Sequence, residues 1–470
     1  LKLGFTVQDT LNIASCDTAL MTFEGLDAAV LDRANRFLRL WTATGLQMWE
    51  LDWALESANG NLDDGFLVFI ADALALRERL SLPLQELLSF WGPMPTHGVN
   101  SHLGEVDTLV ASTYDRVFRS PTLLASWSGV FVDAGALPGG PIDSNALKAA
   151  LGLSADDLAA IGAATGVTLE LSLDGLNLLL RHARLATALS LTVPDLLLWM
   201  TLCDALPAGS AAAFGGTPAD TAEFLRRLAF LQGTGIKLAD LDYLLRNGSA
   251  TRSEMTFTTA EATAVLQAIR DALAKLAPAD PTAVQTLFVS ALAAATGVSA
   301  NVVAPALTST GILPLPATTI TQLLGQTNGV DPTPFQPLVD GITRVAKAAA
   351  LFNALRPSVS SFAFLIQHAA SFNWLNPAAL PLSPPAGTVY LPFERLLQAL
   401  QLNRRQTASA PRLFDVLGRW VQVLPADLAG AIGNESGVLA TALNTSVTDL
   451  TVLANALAAT TPTLDAGTQT

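Results

Sequence analysis

Four histidines and two cysteines are the scarcest chemical resources of this 470-residue chain, and they bound what it can do. His97 and His102 stand close to Glu105 and Asp107 in the stretch THGVNSHLGEVD, a grouping that suits a metal ion or a pH-sensing cluster. The spacing matches no helical H-x-x-x-H pair, so the stretch reads as a polar loop and no metal site is assigned. Asn59–Gly65, NGNLDDG, hints at a calcium loop. An EF-hand requires glycine at its sixth position and glutamate at its twelfth, whereas this chain has Asp64 and Ile70, so a turn leading into an acidic helix start fits better. Cys16 and Cys203 are too few for a disulfide framework or a Cys-rich zinc site. His182 and His368 sit in apolar helical stretches and read as structural. No G-x-S-x-G, P-loop or G-x-G-x-x-G occurs, and no cofactor or enzymatic activity is expected.

Half of the residues are apolar and only 14% are charged, against about 25% in an ordinary soluble domain. Mean hydropathy is +0.41. This excludes a disordered chain and suggests that much surface is buried against neighbouring parts or subunits. The charge balance, 26 basic against 40 acidic residues, is net −14. No basic cluster is present to displace phosphate counterions, so nucleic acid is not an expected partner. The most apolar stretch, Leu185–Cys203, is interrupted by Pro194 and Asp195, and no transmembrane segment is expected. The chain starts at Leu1 with no basic leader, so it reads as a piece of a longer polypeptide.

The elements that position these residues are helices. Apolar residues recur at three- and four-residue spacing, as in Leu31, Ala34, Phe37, Leu38 and Trp41. Strand signals are brief, at Val167–Leu173 and Met255–Thr258. A motif repeats. Five residues after an apolar start comes Gly, Ser or Asn, followed by an apolar residue, then an acid at position ten and another apolar residue at eleven. From Leu40 these are Gly45, Leu46, Glu50 and Leu51. From Leu76 they are Ser81, Leu82, Glu86 and Leu87, and from Leu147 they are Gly152, Leu153, Asp157 and Leu158. Leu185, Phe230, Leu292 and Leu439 begin further copies, and Leu351 begins a poor one with Arg356 and Pro357. Position five suits a left-handed C-cap, position seven an N-cap, and the acid completes a capping box. Positions six and eleven form a hydrophobic staple. The unit is thus helix, tight turn, helix.

The intervals between units are irregular, and Pro- and Gly-rich breaks separate them, unlike a fixed-period solenoid. The expected fold is all-α: a many-helix, multi-lobed assembly of αα-hairpins with irregular loop insertions and little or no sheet. The expected lobes are residues 1–120, 121–304 and 338–470, with a Pro/Thr-rich linker or loop at 305–337. Trp41, Trp49, Trp53 and Trp91 cluster in the first lobe. Such a cluster can bind sugar or form an interface, but at helical spacing it is read as core. Arg36 and Arg39 fall on the polar face beside Phe37.

The first 120 residues carry a more specific pattern. Leu31–Leu55 reads LDRANRFLRLWTATGLQMWELDWAL, a later stretch reads LPLQELLSFWGPMPTHG up to Gly98, and Ser112–Pro121 reads STYDRVFRSP. This order resembles the α-helical shell region of the A component of bacterial toxin complexes (Tc toxins). That family shows an N-R-F-x-R-L-W helix pair ending E-L-D-x-A-L, a W-G-x-x-x-T-x-G turn and an S-x-Y-D-x-x-F segment. Asn35, Arg36, Phe37, Arg39, Trp41, Gly45, Glu50, Trp91, Gly92, Thr96, Gly98, Tyr114, Asp115 and Phe118 match it. The resemblance implies a homopentamer whose shell surrounds a channel, with separate receptor-binding and pore-forming parts and a cocoon of other components. It implies a secreted or bacterial cell-surface location, self-association, contact with other toxin-complex components and a host-surface receptor. Arg36, Phe37, Arg39, Trp41, Trp49, Trp53 and Trp91 are then structural or interface candidates. The competing reading is a stand-alone helical binding scaffold for a receptor or glycan. It needs exposed aromatics on the Pro-rich insertions, where Phe335 and Tyr390 are the candidates.

Overall fold

The structure is a computed structural model. It describes residues 6–9, 21–58, 60–101, 108–203, 216–276, 280–313, 316–385, 389–405, 413–421 and short stretches of 436–452. Cys16, Asn59, His102, Glu105 and Asp107 lie outside the described residues. The chain divides into two compact units, Leu1–Phe230 and Leu231–Thr470.

The architecture is all-α. In the first unit the helices are α1 (Ala28–Thr44), α2 (Met48–Ser57), α3 (Asp64–Leu80), α4 (Leu84–Leu88), α5 (Thr113–Phe118), α6 (Pro121–Trp127), α7 (Ser144–Leu151), α8 (Ala155–Thr165), α9 (Leu173–Ala188) and α10 (Val193–Leu202). Helix α11 (Pro218–Gln232) crosses the division. The second unit holds α12 (Leu238–Arg246), α13 (Thr259–Leu273), α14 (Pro281–Thr296), α15 (Ala300–Ser309), α16 (Ala317–Leu324), α17 (Gln336–Leu355), α18 (Val359–His368), α19 (Tyr390–Arg405) and α20 (Leu413–Val421). Sheet is confined to two antiparallel hairpins among the described residues. β1 (Thr6–Asp9) pairs with β2 (Met21–Glu24), and β3 (Val99–Ser101) pairs with β4 (Thr108–Val110). The two strand signals read from sequence become turns. Glu170 makes a single bridge to Pro141 before α9 begins, and Thr258 is the N-cap of α13.

The repeated motif is a repeated turn. Gly45, Ser81, Gly152, Ser190, Gly235, Gly297 and Arg356 all take positive φ, between +48° and +76°. Each follows a helix whose next helix begins a few residues on, so the left-handed residue closes one helix while the chain reverses. Gly45 donates its N–H to the Trp41 carbonyl. At the following helix, Gln47 N–H donates to Glu50 Oε2 at 2.9 Å. Ser154 and Asp157 form a full capping box. Ser446 accepts from Asp449 N–H and donates its own hydroxyl to the Asp449 carboxylate. The staple residues Leu46 and Leu51 are both buried. Each cap contributes about 1 kcal/mol.

Two acids of the motif do other work. Glu86 stands in the first turn of α4, but its carboxylate faces Arg116 and Arg184. Asp240 accepts from Ser253 Oγ at 2.7 Å and from Glu254 N–H at 2.9 Å, pinning the loop after α12. In both cases a buried carboxylate satisfies a distant donor instead of its own helix start, as burial demands.

In the second unit, α13, α14, α15, α17 and α18 enclose a continuous apolar core that includes Phe288, Leu307, Ile342 and Phe362. The stretch 305–337 is partly helical. Pro305 lies within α15, α16 follows, and Phe335 packs into the core. Lys347 of α17 is fully buried, donating to the carbonyls of Tyr243 at 2.8 Å and Pro381 at 2.6 Å, with its ammonium 4.2 Å from the Tyr243 ring centre.

Candidate functional site

Helices α1 and α2 carry the residues singled out by type and spacing, except Trp91, which follows α4. Phe37, Leu51, Trp53, Phe66 and Ile70 form the core beneath them, and Trp41, Trp49 and Trp91 pack partly buried against it. Trp49 and Trp53 meet edge to face, with ring centres 5.0 Å apart. Trp91 meets Phe69 in the same way at 5.7 Å and donates Nε1–H to Thr221 Oγ1 at 3.0 Å. This is the edge-to-face geometry of aromatics packed against one another.

The remaining signature residues have local reasons. A Cβ on Gly92 would lie 2.9 Å from Ser57, so the W-G turn brings the end of α4 against the end of α2. Asn177 holds that turn through the Gly92 carbonyl at 3.1 Å. Ser112 caps α5, accepting from Asp115 N–H at 3.0 Å. Tyr114 is buried and donates its hydroxyl to the Val132 carbonyl at 2.6 Å, and burial pushes its pKa up to about 12. Arg119 pairs with Asp133 and with Asp115.

The arginines face outward. Arg36 donates to the Leu62 carbonyl and stands 3.7 Å from Asp32. Arg39 makes no ion pair among the described residues. Both line an open groove of about 750 Å³ between α1 and the start of α3, together with Leu38, Asp63, Asp64 and Leu67. Leu38 and Leu67 are 47% and 48% exposed, and Leu31 and Val68 on the same two helices are more exposed still. Single exposed leucines are ordinary, but two sharing one groove make a contiguous apolar surface. Charges of both signs border it.

The described histidines are each accounted for locally. His97 is exposed and touches Thr96 Oγ1 at 3.1 Å. His182 is buried with Nδ1 2.8 Å from the Leu178 carbonyl, and burial lowers its pKa to about 4. His368 packs its ring on Phe364, with centres 5.0 Å apart. Asp63, from the calcium-loop stretch, is the N-cap of α3 and accepts from Phe66 N–H at 2.9 Å. Among the described residues no group of three His, Cys, Asp or Glu side chains is arranged to hold a metal ion. Phe335 and Tyr390, the aromatics a binding scaffold would display, are 2% and 1% exposed. Among the described residues no single helix is long and apolar enough to cross a membrane. The apolar stretch Leu185–Cys203 is shared between α9 and α10, which meet at a bend of 96°.

No family model and no curated protein matches the chain. A solved structure does: the cryo-EM structure of TcdA4 from Morganella morganii, a Tc toxin A subunit. Sequence identity is 18% and the TM-score is 0.59. The match covers 94% of this chain and 18% of that one, so this chain spans under a fifth of its relative's length. Along nearly its whole length, then, the chain has a fold similar to that of a segment of the Tc toxin A subunit.

Proposed function

We propose that the chain is a non-catalytic structural segment of a Tc-toxin A-like protein. In this reading it belongs to the helical shell and contributes to the assembly of a particle that binds host cells and translocates a toxin. The observation that carries the reading is the similarity of fold to TcdA4 across 94% of the chain. The matched signature residues Trp91, Gly92, Tyr114 and Phe118 support it, since each has a packing role. Self-association, into a pentamer by resemblance, is assigned to the groove between α1 and α3. Leu38 and Leu67 offer apolar surface there, and Arg36, Arg39, Asp63 and Asp64 line the same groove. A surface with both signs of charge can meet a second copy of itself. A secreted or cell-surface location follows from the same reading.

Light scattering of the purified chain at neutral, acidic and alkaline pH tests the assembly. A discrete oligomer near five copies is expected, and Leu38→Asp with Leu67→Asp should reduce it to monomer. A wild-type monomer at every pH would overturn self-assembly by these residues.

A further inference from the structure

One turn of the second unit departs from the others in a way that packing does not require. Where the other hairpins place glycine or serine, the turn between α17 and α18 places Arg356 at φ +48°. A long side chain enters that region only at a cost, and such outliers gather at functional sites. Arg356 is exposed and stands where two cavities adjoin, of about 230 and 530 Å³. Arg404 of α19 lines both as well. It is held there by donating Nη2 to the carbonyls of Leu355 and Arg356 at the end of α17. Among the described residues, neither wall contains an aspartate or glutamate, although acids outnumber bases 40 to 26 in the chain. Two guanidinium groups without a carboxylate make this a positive recess on an acidic protein.

The floor of the smaller cavity supplies neutral donors. Ser361 is 6% exposed, and its Oγ accepts from Ser358 Oγ at 2.7 Å and from Asn403 Nδ2 at 3.4 Å. Both contacts use its lone pairs, so its own hydroxyl proton has no acceptor among the described residues. Asn403 is 8% exposed, and its bond to Ser361 is long, leaving Nδ2 donor capacity in hand. Buried donors of this kind call for an acceptor. The smaller cavity lies below the range of about 300–1,000 Å³ that holds drug-sized ligands, so the group seated against Ser361 and Asn403 is small.

We propose that this recess binds a phosphate-sized oxyanion, gripped by Arg356 and Arg404 and completed by the Ser361 hydroxyl and the Asn403 amide. Planar guanidinium groups match such an anion with paired hydrogen bonds. The anion is either free inorganic phosphate or the terminal group of a small phosphomonoester, and both present the same oxygens.

Isothermal titration of the whole chain with inorganic phosphate and with glycerol 3-phosphate, at ionic strength fixed by chloride, tests the site. One saturable site per chain is expected. Arg356→Gly and Arg404→Gln should each weaken binding at least ten-fold, and Ser361→Ala should weaken it about three-fold. Arg356→Gly also relieves the left-handed constraint, so its melting temperature should be no lower than wild type, which separates a lost site from a lost fold. Binding of phosphate alone supports a free ion, and equal binding of both supports a phosphomonoester. Absence of saturable binding by either, or unchanged affinity in Arg356→Gly, would overturn the proposal.

Discussion

The carboxylate of Glu86 is held between two arginines, 3.0 Å from Arg116 Nη2 and 2.6 Å from Arg184 Nε. It joins α4 to α5 and α9. The acid is buried while both arginines reach solvent, so removing it leaves cations that water can partly satisfy. Glu86→Ala should therefore cost about 3 kcal/mol, the lower end of the range for breaking a buried pair. Urea unfolding, followed by the tryptophan fluorescence of the first unit, measures it. A loss below about 1 kcal/mol would mean that the clamp behaves as a surface pair.

His182 links stability to acid. Its folded pKa is pushed down to about 4 by burial, while an unfolded chain restores a value near 6.5. Between those values the unfolded state takes the proton first, so stability is full above about pH 6.5 and falls as pH drops to about 4. The total is roughly 3 kcal/mol at 1.36 kcal/mol for each pKa unit. Thermal melts at pH 7 and 4.5 should show this decline in wild type and a shallower one in His182→Gln.

Lys347 acts at the opposite end of the pH scale. Burial lowers its pKa to about 8, below the ordinary lysine value of about 10.4. The unfolded chain therefore holds the proton more tightly, and this residue's contribution to stability rises as pH climbs from about 8 to 10.4. Tyr114 opposes it: its pKa of about 12 means that stability is lost above pH 10, as the unfolded phenol ionises first. The difference between wild type and Lys347→Met, measured by denaturant midpoint across pH 7.5–10, isolates the lysine. It should shift in favour of wild type with rising pH.

The left-handed turns give paired tests of opposite sign. Gly45 takes φ +66° with open space around it, so Gly45→Ala meets only backbone strain and should cost about 1 kcal/mol. Ser81 already bears that strain at φ +54°. Ser81→Gly should stabilise by a few tenths to about 1 kcal/mol, since glycine's added unfolded-state freedom offsets part of the relief. Denaturant midpoints of the two variants should move in opposite directions.

The sequence makes the hairpins legible because their logic is local. Gly45, Gly152, Gly235 and Gly297 close the turns expected of them, and Ser154 with Asp157 caps the helix expected of it. The copy starting at Leu351 looks poor because Arg356 and Pro357 break the pattern of residue types. The backbone nonetheless makes the same turn, and Ser358 caps α18 by accepting from Ser361 N–H at 3.1 Å. Residue type is a preference, and an arginine can meet the same conformation at a cost. The long-range partners were not legible. Arg116 lies 30 residues from Glu86, and Thr221 lies 130 from Trp91. No spacing rule connects such residues before the helices between them are packed. The exposed groove and the arginine recess share this origin: each is made by side chains from helices that meet only in the fold.

The way the turns are closed has a kinetic consequence. From left-handed residue to N-cap, each turn lies within a few residues of the chain, even where the motif's acid turns to a distant donor as Glu86 does, and no distant strand must be found. Folds dominated by local contacts fold fast. At a synthesis rate of about 5–20 residues per second, a hairpin can close soon after its second helix leaves the ribosome. The apolar stripes of these helices are then paired before later ones emerge, which shortens the time during which a chain with so few charges is exposed to aggregation.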